Sequence, residues 1–557
     1  MQEGTIARRW WKEAVVYQIY PRSFADSNGD GVGDLPGILA RLDHVAGLGV
    51  DVIWLSPHFD SPNADNGYDI RDYRTVMAEF GTMADFDALL AGIKARGMRL
   101  IIDLVVNHTS DEHQWFVESR RSRSDPKRNY YIWRDGAQGL PNNAPSFFGG
   151  SAWERDPATG DYYLHYFAKK QPDLNWDNPA VREDVYEIMR FWLDKGVSGF
   201  RMDVIPFISK DQGFPAMTEA ELRAPEFVYA NGPHIHAYLQ EMRGAALAPY
   251  DVMTVGEAFG VTDAQAPLFV DAARGELDMI FHFDVVRLDR DGWRKTDWTL
   301  PALKAIYARL DRAVGQGGWN TVFLGNHDNP RAVSHFGDDD PAFRVASAKA
   351  LATLLLTQRG TPFLYQGDEI GMTNYPFLAL EDFDDVEVRG QWQDNVATGK
   401  VSAAEFLAHL RQTSRDHSRT PMQWDATPHA GFTAAAKPWF PVHPDFGSIN
   451  VAADLADPGS IYRHYQTLTA LRRAEPALVY GAYRDLDPDH PALFSYSRAL
   501  DGDHLQVAIN FGRDPLALDL PPGTTLLNGS RPERAPGPLA ARTELAAWEA
   551  LVLRLPG

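Results

Sequence analysis

Cysteine is absent from this 557-residue chain, which excludes disulfides, thiolate nucleophiles and zinc–thiolate centres. Also missing is any run of about 18 apolar residues, the length a membrane-spanning helix needs. The N-terminal stretch from Met1 to Trp10 has no apolar core of the kind a secretory signal carries. These absences point to a cytoplasmic protein with no membrane partner. Basic residues are in deficit, 54 Lys and Arg against 75 Asp and Glu, and a net charge of −21 supplies no basic face for nucleic acid. Such a charge favours solubility and is silent on fold. No tandem repeat or low-complexity tract interrupts the sequence. Aromatic residues are plentiful at 12%; carbohydrate sites use aromatic platforms, although most rings serve the core.

The first half alternates strand-like and helix-like segments at a steady rhythm. Val15 to Tyr20 reads as a strand, a helix follows near Ile38 to Leu48, and then comes the strand Val52 to Leu55. A second helix, Asp85 to Arg96, stops at Gly97 and feeds Leu100 to Val105; a third, Val181 to Lys195, stops at Gly196 and feeds Gly199 to Met202. Helix, glycine stop and short apolar strand is the pattern of βα units and a parallel sheet. With Val252 to Val255, Met279 to Phe283, Thr321 to Leu324 and Thr361 to Tyr365 there are eight candidate strands. Eight closes a (β/α)₈ TIM barrel. Two regions depart from the rhythm. Residues 107–176 are rich in Asn, Pro, Gly and aromatics and read as a lobe inserted after the third strand, a length of irregular chain that is usually functional. From 481 to 557 the pattern becomes short alternating strands separated by Asp501-Gly502 and Pro521-Pro522-Gly523, which reads as a C-terminal antiparallel β-sandwich. The barrel is then built from 1–106 and 177–480.

Several strand ends carry groups that are costly to bury without a purpose. Asp203 follows Gly199-Phe200-Arg201-Met202, Glu257 follows Met253-Thr254-Val255-Gly256, and Asp328 follows Val322-Phe323-Leu324-Gly325-Asn326-His327. His108 lies just past the run Leu100 to Val106. In a parallel barrel the catalytic groups gather at the C-terminal ends of different strands. Paired carboxylates there, with an arginine and histidines beside them, suit glycosidic hydrolysis. Arg201 shares a strand face with Asp203, two residues on, and is placed to keep it charged. Taken one at a time, each group also reads as a structural strand-end polar residue.

Together these motifs resemble those of the α-amylase family of glycoside hydrolases (family 13), in its oligo-1,6-glucosidase, α-glucosidase and sucrose isomerase branch. The resemblance runs from Tyr17-Gln18-Ile19-Tyr20-Pro21-Arg22-Ser23-Phe24 to Ala547-Trp548-Glu549. It includes Gln171-Pro172-Asp173-Leu174-Asn175-Trp176 and Ser414-Arg415-Asp416-His417-Ser418-Arg419-Thr420-Pro421-Met422-Gln423-Trp424. It implies Asp203 as nucleophile, Glu257 as general acid and base, and Asp328 as the carboxylate that grips ring hydroxyls in the transition state. It also implies His108, His327, Arg201 and Phe167 around the sugar, Tyr68 stacked on it, and Asp65 with Arg415 or Arg419 closing the far end, so that the enzyme is exo-acting. On its own residues, Asn66-Gly67 is simply a turn.

The leaving-group side is ambiguous by the same resemblance. Val204 is similar to the residue of glucosidases that prefer α-1,6 links. Phe259 and Phe283, with Arg287-Leu288-Asp289-Arg290-Asp291, resemble the aromatic pair and product-directing motif of sucrose isomerases. The expectation is a retaining α-glucosidase acting on isomaltose, isomaltulose or trehalulose, a small-oligosaccharide enzyme expected to be monomeric. Sucrose isomerase, or α-1,4-glucosidase with transglucosylation, is the alternative. Asp26-Ser27-Asn28-Gly29-Asp30-Gly31-Val32-Gly33-Asp34 places oxygen donors at alternate positions and glycine at the sixth, like an EF-hand loop, but Gly37 stands where the bidentate Glu belongs. In the family this loop holds a structural Ca²⁺ or Mg²⁺, implying Asp26, Asn28, Asp30, the Val32 carbonyl and Asp34 as ligands. A metal-free, hydrogen-bonded loop is the alternative, and no organic cofactor is implied.

Overall fold

A computed structural model describes residues 8–315 and 317–556. Strands β1 (Val16–Ile19), β2 (Val52–Leu55), β3 (Arg99–Leu104), β4 (Gly199–Met202), β5 (Met253–Glu257), β6 (Met279–Phe281), β7 (Thr321–Val322) and β8 (Thr361–Tyr365) form one sheet in the order β6-β5-β4-β3-β2-β1-β8-β7. Every pairing in it is parallel. The sheet curls into a barrel whose last seam, β6 to β7, is closed by side chains: Thr321 Oγ1 donates to the Ile280 carbonyl at 2.9 Å, and His282 Nε2 lies 3.1 Å from Asn320 Oδ1. Alternate residues separate the two faces of each strand. Val16, Trp54, Ile101, Val255, Met279, Phe281 and Phe363 fill the interior, while Tyr17, Ile19, Ile53, Leu55, Leu100, Ile102, Phe200 and Met202 pack toward the helices.

Local sequence explains the helix boundaries. Helix α3 (Met83–Ala95) starts at Thr82, whose hydroxyl takes the Asp85 N–H while the Asp85 carboxylate takes the Thr82 N–H. Helix α4 (Pro179–Lys195) has Asn178 as N-cap, Pro179 at its first position and Gly196 in left-handed conformation (φ 100°) at its end. The helix expected from Ile38 to Leu48 is instead two short ones, α1 (Leu35–Ala40) and α2 (Leu42–Gly47), broken at Arg41 (φ −108°, ψ 6°). The Arg41 guanidinium lies over Trp424, 4.5 Å from its ring centre. Further on, α5 (Leu300–Val314) and α6 (Arg344–Thr357) complete the outer layer beside β7 and β8.

The inserted lobe holds a three-stranded antiparallel sheet of Trp133–Arg134, Tyr162–Leu164 and Trp153–Arg155. It is tied back to the end of β3 by the bridge between His108 and Asp173 and by Trp176 Nε1, which donates to the Val106 carbonyl at 2.8 Å. After the short helix α7 (Pro476–Tyr480) the chain becomes antiparallel. Strands β9 (Ala482–Asp485), β10 (Leu493–Leu500), β11 (Asp503–Asn510), β12 (Leu516–Asp519), β13 (Thr525–Gly529), β14 (Gly537–Pro538), β15 (Arg542–Leu545) and β16 (Ala550–Arg554) form a six-stranded sheet, β9-β10-β11-β16-β13-β14, and a two-stranded one, β12-β15. One face of the larger sheet (Phe494, Tyr496, Val507, Ile509) joins the barrel core; the other (Leu493, Ala508, Leu551, Leu553) packs with Leu518 and Leu545 of the smaller sheet. Asp501 and Gly502, both at positive φ, make the two-residue turn between β10 and β11. Among the described residues no helix is long and apolar enough to cross a membrane.

Candidate active site

Strand register brings the first set of charges together. Asp103 of β3 pairs with Arg201 of β4, and Arg201 pairs with Val255 of β5, so Asp203 and Glu257 lie one pleat further toward the C-terminal end. Arg201, only 1% exposed, donates through Nη1 to Asp103 Oδ1 at 2.8 Å and to Asp203 Oδ1 at 2.5 Å; its Nη2 lies 2.8 Å from Glu257 Oε2. Asp203 Oδ1 and Glu257 Oε2 thus meet the same guanidinium, one on each of its terminal nitrogens. Burial and the facing Glu257 charge push the Asp203 carboxyl well above the usual carboxylate range, against the pull of Arg201. Arg201 thus stands beside Asp203 as expected, but burial and the facing Glu257 oppose the charge it supports.

Asp328 faces a different set of partners. His327 Nε2 lies 3.0 Å from its Oδ2, and Arg415 Nη1 and Arg419 Nη2 each lie 3.1 Å from its Oδ1. Burial opposes ionisation, but His327 and the two arginines outweigh it and hold this carboxyl well below its ordinary value. His327 is itself fixed: Gln18 Nε2 meets its Nδ1 at 2.8 Å, the Tyr68 hydroxyl meets its Nε2 at 2.6 Å, and the Tyr68 ring stacks on the imidazole at 5.3 Å. Of the two arginines in the motif, Arg415 is the one that also reaches Asp65, at 3.8 Å. Burial pushes Asp65 up to about 7 in spite of that arginine. Gln171 Nε2 bridges the inserted lobe to the barrel, donating to Asp65 Oδ2 at 2.9 Å and meeting His108 Nε2 at 3.2 Å. His108 is fully enclosed, and burial depresses it to about 3, so it is a neutral imidazole.

On the opposite side Val204, Phe167, Phe207, Phe259 and Phe283 form one apolar cluster. The Phe259 and Phe283 rings are 4.9 Å apart, and the Arg287 guanidinium lies 4.5 Å from the centre of Phe259. A cleft of about 70 Å³ beside it is lined by Arg287, Arg290, Asp328, Asp385, Glu387 and Arg415.

All the sugar-site residues expected from the sequence thus converge on one end of the barrel. Those of the Asp26 to Asp34 loop lie apart, on the connection after β1. There Asp26 Oδ1 accepts the Asn28 and Gly29 N–H groups, and Asp26 Oδ2 accepts Gly31 N–H and the Thr433 hydroxyl. Asn28 Oδ1 accepts from Asp30 N–H and Asp30 Oδ1 from Val32 N–H. Asp34 caps α1 through Gly37 N–H at 2.6 Å and also takes the Ser27 N–H and hydroxyl. The donors are all oxygen, the type that hard cations take, but Asp26 already has its four acceptor positions filled. Among the described residues no three Asp, Glu or His side chains converge as a ready cation cluster.

Sequence reasoning passed over four members of the site. Asp103 sits inside a strand quoted for its histidine, and its charge was the available signal; Trp54 Nε1 donates to its second oxygen at 2.6 Å. Lys210, 3% exposed, donates to Asn107 Oδ1 at 2.7 Å and lies 3.2 Å from Asp173 Oδ2, locking the lobe to the barrel. Asp385 and Glu387, which face Arg415 at 2.5 Å and 3.4 Å, follow a stretch with no strand or motif signal.

Comparison with known proteins agrees with this geometry. Residues 18–481 match the family described as "Alpha amylase, catalytic domain", and 483–552 match a domain of unknown function, DUF3459. The chain is 53% identical over 514 residues to the oligo-1,6-glucosidase of Halalkalibacterium halodurans, covering 91% of each chain. Among solved structures it is similar to the trehalulose synthase of Pseudomonas mesoacidophila (TM-score 0.96, 53% identity, 98% of this chain and 100% of that one). It is also similar to an isomaltulose synthase mutant from Erwinia rhapontici in complex with sucrose (TM-score 0.97, 52% identity, 99% and 100%).

Proposed function

Because the chain belongs to the α-amylase family of glycoside hydrolases, we propose that it is an exo-acting, retaining α-glucosidase hydrolysing α-1,6-type bonds in short oligosaccharides such as isomaltose, isomaltulose and trehalulose. The observation that carries this reading is the single guanidinium of Arg201, which meets Asp203 Oδ1 at 2.5 Å and Glu257 Oε2 at 2.8 Å. Two carboxyls gathered on one guanidinium suit the short spacing of a retaining enzyme, in which one of them attacks the anomeric carbon directly. Arg201 occupies Asp203 Oδ1, which leaves Oδ2 to attack. As the C1–O bond breaks, its electron pair goes to the leaving oxygen, which takes the proton of Glu257. Water then attacks the glucosyl ester, Glu257 takes back a proton, and Asp203 is released. Asp328, kept ionised by His327, Arg415 and Arg419, is charged throughout and stabilises the cation-like sugar. Asp65 and Arg415 close the far end, so one glucose is removed at a time.

Linkage preference rests on Val204, whose branched side chain stands next to the nucleophile among the aromatic rings. It favours a leaving group joined through a flexible CH₂–O link over the stiffer α-1,4 geometry. The naming of the 53% identical relative as an oligo-1,6-glucosidase supports the same choice. A second reading, sucrose isomerisation, is favoured by one specific observation: the tilted Phe259–Phe283 pair with the Arg287 guanidinium over it is a group able to retain a fructosyl unit. Chromatography of products from isomaltose, isomaltulose, maltose and sucrose, incubated in parallel, separates the two. Glucose released fastest from the first two is the expected result; isomaltulose or trehalulose as the main product from sucrose overturns it.

For the Asp26 to Asp34 loop we carry the family's structural Ca²⁺ or Mg²⁺ as part of the proposal. Asp26, Asn28, Asp30, the Val32 carbonyl and Asp34 would hold the ion, whose role on this loop is to stiffen it. Since Asp26 is already saturated by its own donors, binding has to displace one of them and should be weak. Calcium should raise the melting temperature of chelated protein, and Asp30→Ala should abolish the increase. An unchanged melting temperature across both additions would sink the site.

A further inference from the structure

A peptide N–H and a guanidinium charge meet at one oxygen of the carboxyl assigned above as general acid. The Val204 peptide N–H donates to Glu257 Oε2 at 3.0 Å, and Arg201 Nη2 lies 2.8 Å from the same atom. Val204 itself sits in left-handed conformation (φ 34°, ψ 39°), between the end of β4 at Met202 and the 3₁₀ turn Ile205–Phe207. A β-branched residue rarely adopts that region, and it persists only where the surroundings over-determine it. Here they do: the side chain is 5% exposed and held in the Phe167, Phe207 and Phe259 cluster, while the Val204 carbonyl accepts the Phe207 N–H at 2.9 Å.

An oxygen that accepts an N–H and faces a guanidinium at 2.8 Å is held as the negative, carbonyl-like end of the carboxyl, so the exchangeable proton belongs on the other oxygen. We infer that the Val204 peptide N–H, held at the start of this strained turn, is a positioning group that confines the transferable proton of Glu257 to Oε1. The inference rests on the proposed role of Glu257 as acid and base. In the first step the Oε1–H bond breaks as the leaving oxygen takes the proton and the C1–O electron pair. In the second, water gives C1 its oxygen and Oε1 its proton, while the bond from C1 to Asp203 breaks and its electrons return to Asp203. The same oxygen serves both steps, so Glu257 need not rotate between them. Val204 would thus act twice, through its side chain on the leaving group and through its backbone on the acid.

The test replaces Val204 in the full-length protein by its α-hydroxy acid, which turns the N–H into an ester oxygen and keeps the side chain. A hydrogen bond to an ionised group corresponds to roughly 10- to 100-fold. The expected result is a fall of about that size in kcat/KM for isomaltose, an alkaline limb of the pH profile moved by about one unit, and little change for α-glucosyl fluoride, whose leaving group needs no proton. An unmoved limb, or equal losses on both substrates, overturns the inference. Val204→Gly retains the N–H while removing the side chain, and its alkaline limb should stay where the unmodified enzyme has it; a shift there would also overturn it. Glu257→Gln tests the underlying role separately. It should abolish isomaltose cleavage and spare the first step with the fluoride; if isomaltose is still cleaved, the acid assignment itself fails, whatever the ester shows.

Discussion

Two buried arginines, at opposite ends of the barrel, are handled in opposite ways. Arg201 at the C-terminal end faces Asp103, Asp203 and Glu257, and these carboxylates hold its charge firmly against burial. Arg498 of β10, fully enclosed at the seam between barrel and C-terminal domain, meets no carboxylate. Its guanidinium donates to the carbonyls of Thr357, Leu478, Val479 and Gly481, and burial lowers it to about 9. Arg472 beside it does likewise with Leu356, Gln358, Gly360 and Leu478. Those carbonyls are the free ends of α6 and α7, where a cation complements the helix dipole and replaces the missing backbone donors. Peptide dipoles are fixed and neutral, so the seam arginines lock two elements together without chemistry. Carboxylates in excess over one guanidinium leave a surplus of negative charge that has to be met by a proton or by a developing sugar cation. In this chain the arginine among three carboxylates stands at the candidate site, and the one among carbonyls at a joint.

The sharpest break in this comparison comes from removing charge at each end. Asp203→Ala, Glu257→Gln and Asp328→Ala should each lower turnover of isomaltose by several orders of magnitude with the fold intact. Near-normal turnover in a folded variant would remove that residue from the mechanism. Proton NMR of the first product should show α-glucose, and β-glucose would overturn the retaining route.

Arg498→Met should do the reverse. It leaves buried carbonyls without donors, at a cost on the order of 3 kcal/mol, yet kcat at 25 °C should be unaffected because the seam is remote from the pocket. A lowered kcat at unchanged stability would mean that the joint is coupled to the site.

Acid should sharpen the contrast further. Burial depresses His58, His108, His417 and His464 to about 3. The unfolded chain takes up their protons near the ordinary 6.5 while the folded chain does not, so the stability they contribute is fully present above that pH and is lost as pH falls toward 3. Asp65 and Asp368, each raised to about 7 by burial, act in the opposite sense, losing stability as pH rises through their folded values. His464→Gln, remote from the pocket, should therefore make the melting temperature less sensitive to acidification from 6.5 to 4 and lower the proton uptake on unfolding in that range. An unchanged pH profile in this variant would mean that the ring is not buried neutral.

The smallest effect belongs to Val204→Thr, which should narrow the preference for isomaltose over maltose by roughly 10-fold, within the range one pocket contact supplies. An unchanged ratio would shift linkage control to Phe259, Phe283 and Arg287.

Much of the barrel was legible because its signals are local. Apolar runs, Gly97 and Gly196 after their helices and the Asp501-Gly502 turn each need only a few neighbouring residues, and β2 and β8 appear with the bounds their apolar runs suggest. Asp203, Glu257, Asp328 and His108 stood out because polar groups at the ends of apolar strands are expensive. The break at Arg41 was not legible, since what competes with the helix there is Trp424, distant in sequence.

By itself, then, the sequence determined which residue types stand at which strand ends, because strand period and burial cost act over a few residues. Tertiary structure decided which of them meet. Register across β3, β4 and β5 set Asp103 against Arg201. Folding of the lobe carried Gln171 to Asp65 and His108, and packing beyond β8 brought Asp385 and Glu387 to Arg415. The raised Asp203, the neutral His108 and the left-handed Val204 depend on distances between segments far apart in the chain. Electrostatics and backbone strain are set by those distances, and a linear pattern does not contain them.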